Sequence, residues 1–153
     1  MIINIGEGEI FMDYNLEIIK SEYIQGSFKK NTNLDKEVVE NVTNISGDVE
    51  LGIAKNSEGE ENLAIKLLLE VKVISDKDRK EIAIAKNEYI FIFKLEDSEL
   101  SYKIINSDLK EDELLNLTNE LVNMGYITIK EYIENIFKRA DINITLPIKI
   151  KLT

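Results

Sequence analysis

The apolar residues of this chain change their spacing once, near residue 98, and that switch limits the possible folds more than any other feature. Before it, apolar and polar side chains alternate, the two-residue repeat of a strand with one buried face. After it they recur at i, i+3 and i+4, the repeat of an amphipathic helix. A run of strands followed by a run of helices predicts an α+β chain with segregated layers, not alternating β-α units.

A first strand is expected over residues 14–28, long enough to need a bend or bulge near Gly26. A second runs over 47–55 with Val49, Leu51 and Ile53 on one face, and a third over 63–75 with Leu63, Ile65, Leu67, Leu69, Val71 and Val73 on one face. The fourth, 82–95, carries Tyr89, Phe91, Phe93 and Leu95 on one face and Ile90 and Ile92 on the other. Short acid-rich turns at 57–62 and 76–81 join them, so the strands should form an antiparallel meander. An apolar second face on the fourth strand calls for a covering layer or another subunit, which makes Ile90 and Ile92 candidates for an oligomer interface. The polar connection 29–46 exceeds the usual connection length and carries Leu34, Val38, Val39, Val42 and Ile45. It either tacks a loop to the core or contributes to a site.

Asp108 with Glu111 three residues on reads as a capping box opening a helix with Leu114, Leu117, Leu121 and Met124, closed by Gly125 at its C-terminal end. A second helix is expected to start at Thr128 and to present Ile129, Tyr132, Ile133, Ile136, Phe137 and Ala140 as one stripe, with Lys138 and Arg139 complementing the dipole of its last turn. Such a stripe first of all suggests packing on the sheet. Residues 146–152 close the chain as an extended segment, with Pro147 at an edge or at its first position.

Composition narrows the chemistry. With 19 Lys and Arg against 29 Asp and Glu, the net charge is −10, which argues against a reader of duplex nucleic acid. The absence of His and Cys excludes thiol chemistry, zinc-finger sites and imidazole triads. No metal and no cofactor is expected: there is no phosphate-binding glycine motif, and Asp76 and Asp78 lack the later ligands of a calcium loop. The acids are too numerous for a hydrolytic pair to stand out. No apolar stretch is long enough to span a membrane and the N-terminus lacks the features of a secretory signal, so a cytoplasmic location is expected. With no repeat, no proline-rich linker and one proline in 153 residues, one domain over residues 1–153 is expected, long enough to bury about 70% of its unfolded surface.

Three stretches in order, Ser27-Phe28, residues 88–93 and residues 130–139 followed by Leu146-Pro147-Ile148, resemble the protein-export chaperone SecB and its relatives from about residue 14 onward. The resemblance implies a SecB-like fold: a four-stranded antiparallel meander followed by two helices packed on one face. It also implies a homotetrameric holdase that holds unfolded clients in apolar grooves without ATP. The positions matching the family's groove are Leu34, Val38, Val39, Val42, Phe91, Tyr126, Ile133 and Phe137. Gln25, Lys29 and Ile84 stand where typical members carry carboxylates that dock on the translocase motor SecA, which counts against that partner. A client from a toxin–antitoxin system fits at least as well as an exported one. The alternative is a non-catalytic assembly subunit using the same apolar surfaces for one fixed partner. An enzyme of hot-dog type working with carboxylates alone is disfavoured by the lack of His.

Overall fold

The computed structural model describes residues 16–31, 41–95 and 98–152. Strands β1 (Leu16–Lys30), β2 (Asn41–Lys55), β3 (Glu61–Ser75) and β4 (Glu81–Leu95) are followed by helices α1 (Ser98–Ile105) and α2 (Glu111–Arg139). The strands form one antiparallel sheet in the order β1-β4-β3-β2. Thus β2, β3 and β4 are the expected meander, while β1 pairs with β4, the strand farthest from it in sequence. Lys30 and Asn41 therefore lie at the same end of the sheet on opposite edges, three strand spacings or about 14 Å apart.

The β2–β3 turn is built by Asn56, whose Oδ1 accepts the N–H groups of Glu58 and Glu60 at 3.0 and 2.9 Å, while Gly59 takes φ +80°. In the β3–β4 turn Asp78 accepts the Lys80 N–H at 3.2 Å. Alternation in β3 and β4 does what their sequences predict. Leu63, Ile65, Leu67, Leu69, Val71 and Val73 are buried on the inner face, beside Tyr89, Phe91 and Phe93. The stripe Leu117, Leu121, Val122, Tyr126, Ile129, Ile133 and Phe137 of α2 closes over them. Leu100 and Ile104 of α1 pack against the same core. No helix among the described residues is long and apolar enough to cross a membrane.

Three expectations are corrected. First, β1 bulges twice where one bulge was expected, at Ile19 and at Ile24, the latter two residues before Gly26, which itself pairs with Asn87. The bulge at Ile24 has a structural result: Tyr23 and Phe28, five residues apart, would fall on opposite faces of a regular strand. The extra residue puts both on the inner face, where Tyr23 meets Tyr89 edge-on at 5.4 Å and Phe28 meets Phe137 at 5.3 Å. Second, the two expected helices are one helix of 29 residues, and the stretch read as a transition before them forms α1. Gly125 does not end a helix. It lies inside α2 over the ring of Phe91, where a Cβ would come within 2.7 Å of the ring carbons. The Thr128 hydroxyl donates to the Gly125 carbonyl at 2.6 Å, so it bonds back along the helix instead of opening a new one. Third, no capping box forms. Lys110 is the N-cap without a side-chain cap, and the Asp108 N–H is used at the end of α1, on the Lys103 carbonyl at 2.8 Å. The acids Glu111, Asp112 and Glu113 do occupy the first turn of α2, and Lys138 and Arg139 its last.

The outer face of the sheet carries ion pairs. Lys66 Nζ lies 2.9 Å from Glu88 Oε1, and Gln25 Nε2 donates to Glu88 Oε2 at 2.7 Å. Only 10% of the Glu88 side chain is exposed. The hydrogen bonds from Lys66 and then Gln25 hold its carboxyl below the ordinary glutamate value. A depressed folded value means that the contribution of Glu88 to stability is complete above the ordinary value and is lost as pH falls through the folded one. Thermal unfolding of wild type and Glu88→Gln should therefore differ at pH 7 and converge near pH 3. An equal gap at both pH values would exclude this assignment.

Candidate functional site

Helix α2 is laid over β1, β3 and β4 and leaves the inner face of β2 incompletely covered. Register pairs Ile45 with Val71, Val49 with Leu67 and Leu51 with Ile65, so these β2 side chains continue the core face outward. They remain half-buried, and Ile53 at the end of the row is 40% exposed. The chain returns to this place after α2. Ile142 and Leu146 are buried, and residues 147–152 run back along the helix without forming a strand.

Three side chains of α2 hold this tail by its backbone. Tyr126 Oη donates to the Pro147 carbonyl at 2.6 Å. Asn123 makes a paired contact with Ile150: its Oδ1 accepts the N–H at 2.9 Å and its Nδ2 donates to the carbonyl at 3.0 Å. Asn119 Oδ1 accepts the Leu152 N–H at 3.1 Å. Between tail and sheet lies a cleft of about 410 Å³, walled by Ile45, Val49, Leu67 and Leu69 on one side and by Pro147, Ile150 and Leu152 on the other. Ser46, Gly47, Lys149 and Lys151 complete its lining, so its surface mixes apolar side chains with polar and basic groups. Burial, with Glu134 adding to it, pushes the Tyr126 hydroxyl up to about 12. That raised value means a contribution complete below the ordinary tyrosine value near 10 and lost as pH rises through about 12. The alkaline transition, followed by circular dichroism, should therefore lie between pH 10 and 12 and move when Tyr126 is replaced by Phe.

The residues expected to line a groove do not come together on a surface. Phe91, Tyr126, Ile133 and Phe137 are each 0% exposed. They form the seam between sheet and helix, and the stripe of α2 is core. Val42 pairs with Ile74 on the outer face, away from the cleft. Leu34, Val38 and Val39 lie outside the described residues. Ile90 and Ile92 sit half-buried on the outer face, opposite Lys66 and Ala64. Gln25 and Lys29 share that face with Ile84, Lys29 directly opposite it.

Of the residues that wall the cleft or hold the tail, Ile45 lies in the segment that the sequence marks as a site candidate, whereas Val49, Asn119 and Asn123 were not anticipated there. A signal for the two asparagines existed: they are poor helix formers one turn apart, close to the apolar stripe, where a structural task is the usual reason to keep them. Other exposed apolar side chains gather on edge strand β1 (Ile19, Tyr23, Ile24 and Phe28) and on α2 (Ile127 and Tyr132).

No protein-family model matches this sequence, and no curated protein matches it. Among solved structures, the fold is similar to that of the SecB-like chaperone Rv1957 of Mycobacterium tuberculosis, determined in complex with a ChAD peptide from the Rv1956 HigA1 antitoxin. The TM-score is 0.59 at 11% sequence identity, over 90% of this chain and 93% of that one. A protein of unknown function from Streptococcus agalactiae aligns over 89% of this chain and 99% of its own with a TM-score of 0.41 and 17% identity. Strand order, helix placement and the likeness to Rv1957 together define a SecB-like α+β fold.

Proposed function

We propose that this chain is an ATP-independent holdase that binds extended, non-native polypeptide in the cleft between β2 and the C-terminal tail. The observation that carries this reading is the incompletely covered inner face of β2, where Ile45 and Val49 prolong the core into a cleft of about 410 Å³. A similar fold in Rv1957 holds an antitoxin peptide, and an antitoxin-type client suits this chain as well as an exported one. Burying client side chains is worth roughly 25 cal/mol per Å² before the cost of ordering the client is subtracted. The −10 charge keeps loaded complexes apart in solution. The working form is a cytoplasmic homo-oligomer, a tetramer as in SecB, non-catalytic and without a cofactor. Ile90, Ile92 and the apolar side chains of β1 supply subunit contacts. Gln25, Lys29 and Ile84 provide no carboxylate, which counts against SecA as a partner.

The test is suppression of aggregation of several unrelated unfolded proteins at stoichiometric ratio without nucleotide. Wild type should suppress it, and Val49→Asp should weaken client binding at least 10-fold while leaving the circular dichroism spectrum unchanged. Val49 is half-buried at an edge, so the charge can reach water. Protection of one protein only would favour the assembly-subunit reading, to which the exposed apolar residues of β1 also lend themselves.

A further inference from the structure

The side-chain hydrogen bonds from α2 that hold the tail all go to its backbone, while Ile150 and Leu152 add packing against the core. Asn119, Asn123 and Tyr126 occupy one side of α2 at i, i+4 and i+7, and they bond to Leu152, Ile150 and Pro147 in reverse order. The spacing has a simple origin. One helical step of four residues rises about 6 Å, and two residues of an extended chain span about 6.6 Å. Asparagines on successive turns therefore meet every second peptide group of an antiparallel extended segment, whatever its side chains. Asn116 falls on the same side of the helix, and its buried Oδ1 has no hydrogen-bond partner among the described residues. The segment seated there, Ile148-Lys149-Ile150-Lys151-Leu152, alternates apolar with basic residues in a chain of net charge −10. Ile148 is 77% exposed, so not all of its apolar side chains are needed to seal the core.

We infer that Asn119, Asn123 and Tyr126 form a backbone-reading site for extended polypeptide whose apolar residues alternate with basic ones, and that the tail at 147–152 is its resident, displaceable occupant. This rests on the reading of the adjoining cleft as a client surface and names the client's chemistry: an extended segment resembling the tail. Because the tail competes from within the same chain, only clients that match the ladder and also pack on the sheet wall of Ile45, Val49, Leu67 and Leu69, in the tail's place, displace it.

The experiment uses the full-length chain and a fluorescein-labelled peptide with the sequence of residues 144–153, followed by fluorescence anisotropy. Ile150→Pro removes the N–H that Asn123 accepts and leaves the ladder on α2 untouched. It should bind the peptide at least 10-fold more tightly than wild type does. Adding Asn123→Ala should reverse the gain, and a peptide N-methylated at the two amides corresponding to Ile150 and Leu152 should not bind. Equal affinity of wild type and Ile150→Pro, or of the plain and methylated peptides, overturns the inference. Should Ile150→Pro not fold, amide exchange in the wild-type chain decides: saturating peptide must speed exchange at Ile150 and Leu152, and unchanged exchange overturns the inference. Aggregation assays on the same proteins separate the two readings. Peptide binding that depends on Asn123 without any suppression of aggregation removes the holdase and keeps the ladder, whereas suppression that is indifferent to the tail does the reverse.

Discussion

Phe91→Ala is expected to destabilise the protein by about 3–5 kcal/mol, the cost of a cavity in a core that cannot collapse around it. The ring is 0% exposed, stacked on Tyr89 at 5.9 Å and 19°, and roofed by the backbone of α2 at Gly125. The same contact predicts an inverted result for Gly125→Ala. An interior helical Gly→Ala change ordinarily gains about 1 kcal/mol, but here the added Cβ meets ring carbons at 2.7 Å, and overpacking costs about 1–3 kcal/mol. Gly125→Ala should therefore lose stability in the wild-type background and gain it in the Phe91→Ala background. Urea unfolding of the four proteins of this double-mutant cycle measures the coupling. Additive effects would mean that ring and helix do not touch. A Phe91→Ala variant of normal stability that no longer binds clients would restore Phe91 to the groove that its sequence position suggested.

Phe137→Ala is the second large effect, again about 3–5 kcal/mol. Phe137 has 0% exposure and joins α2 to edge strand β1 through Phe28 at 5.3 Å and 85°. Its carbonyl also accepts the N–H groups of Ala140 and Ile142 at 3.0 and 2.9 Å, so the turn that sends the tail back along the helix begins there. Lys30 reinforces the corner by donating to the Ala140 carbonyl. Phe28 is 37% exposed, and Phe28→Ala should cost only about 1 kcal/mol, since part of its surface already faces water. Equal losses for the two variants in urea unfolding would show that β1 is sealed by a layer beyond the described residues.

These predictions rest on contacts that differ in how well the sequence announced them. The inner faces of β3 and β4 were fully legible, because strict alternation over long strands admits only one register with the apolar set inside. The existence of helical structure after the sheet was legible too, and so were the charges at the two ends of α2. What misled was local punctuation. Gly125 looks like a stop and Thr128 like a start, yet the glycine is kept for the approach to Phe91, and the threonine spends its hydroxyl on its own helix. Asp108 looks like a cap and belongs to the previous turn. The candidate site was the least legible part. Phe91, Tyr126, Ile133 and Phe137 are apolar on the face that was read correctly, but apolarity alone does not distinguish a lining residue from a core residue. That depends on how far α2 reaches across the sheet. It stops short of covering β2, so Ile45, Val49 and Leu51 are left only half-buried.

By itself, the amino-acid order determined the layers of this protein: the period of the hydrophobic pattern sets strand or helix, the polar turns pair successive strands, and the missing imidazoles and thiols remove whole classes of chemistry. Only the tertiary structure decided the placement of β1 beside β4, the fusion of two helical patterns into α2, and the Asn119–Asn123–Tyr126 ladder that holds the tail. The physical reason is one of range. Periodicity and turn chemistry act between residues a few positions apart, whereas these three outcomes depend on groups tens of residues apart whose contacts exist only once the sheet and helix have packed.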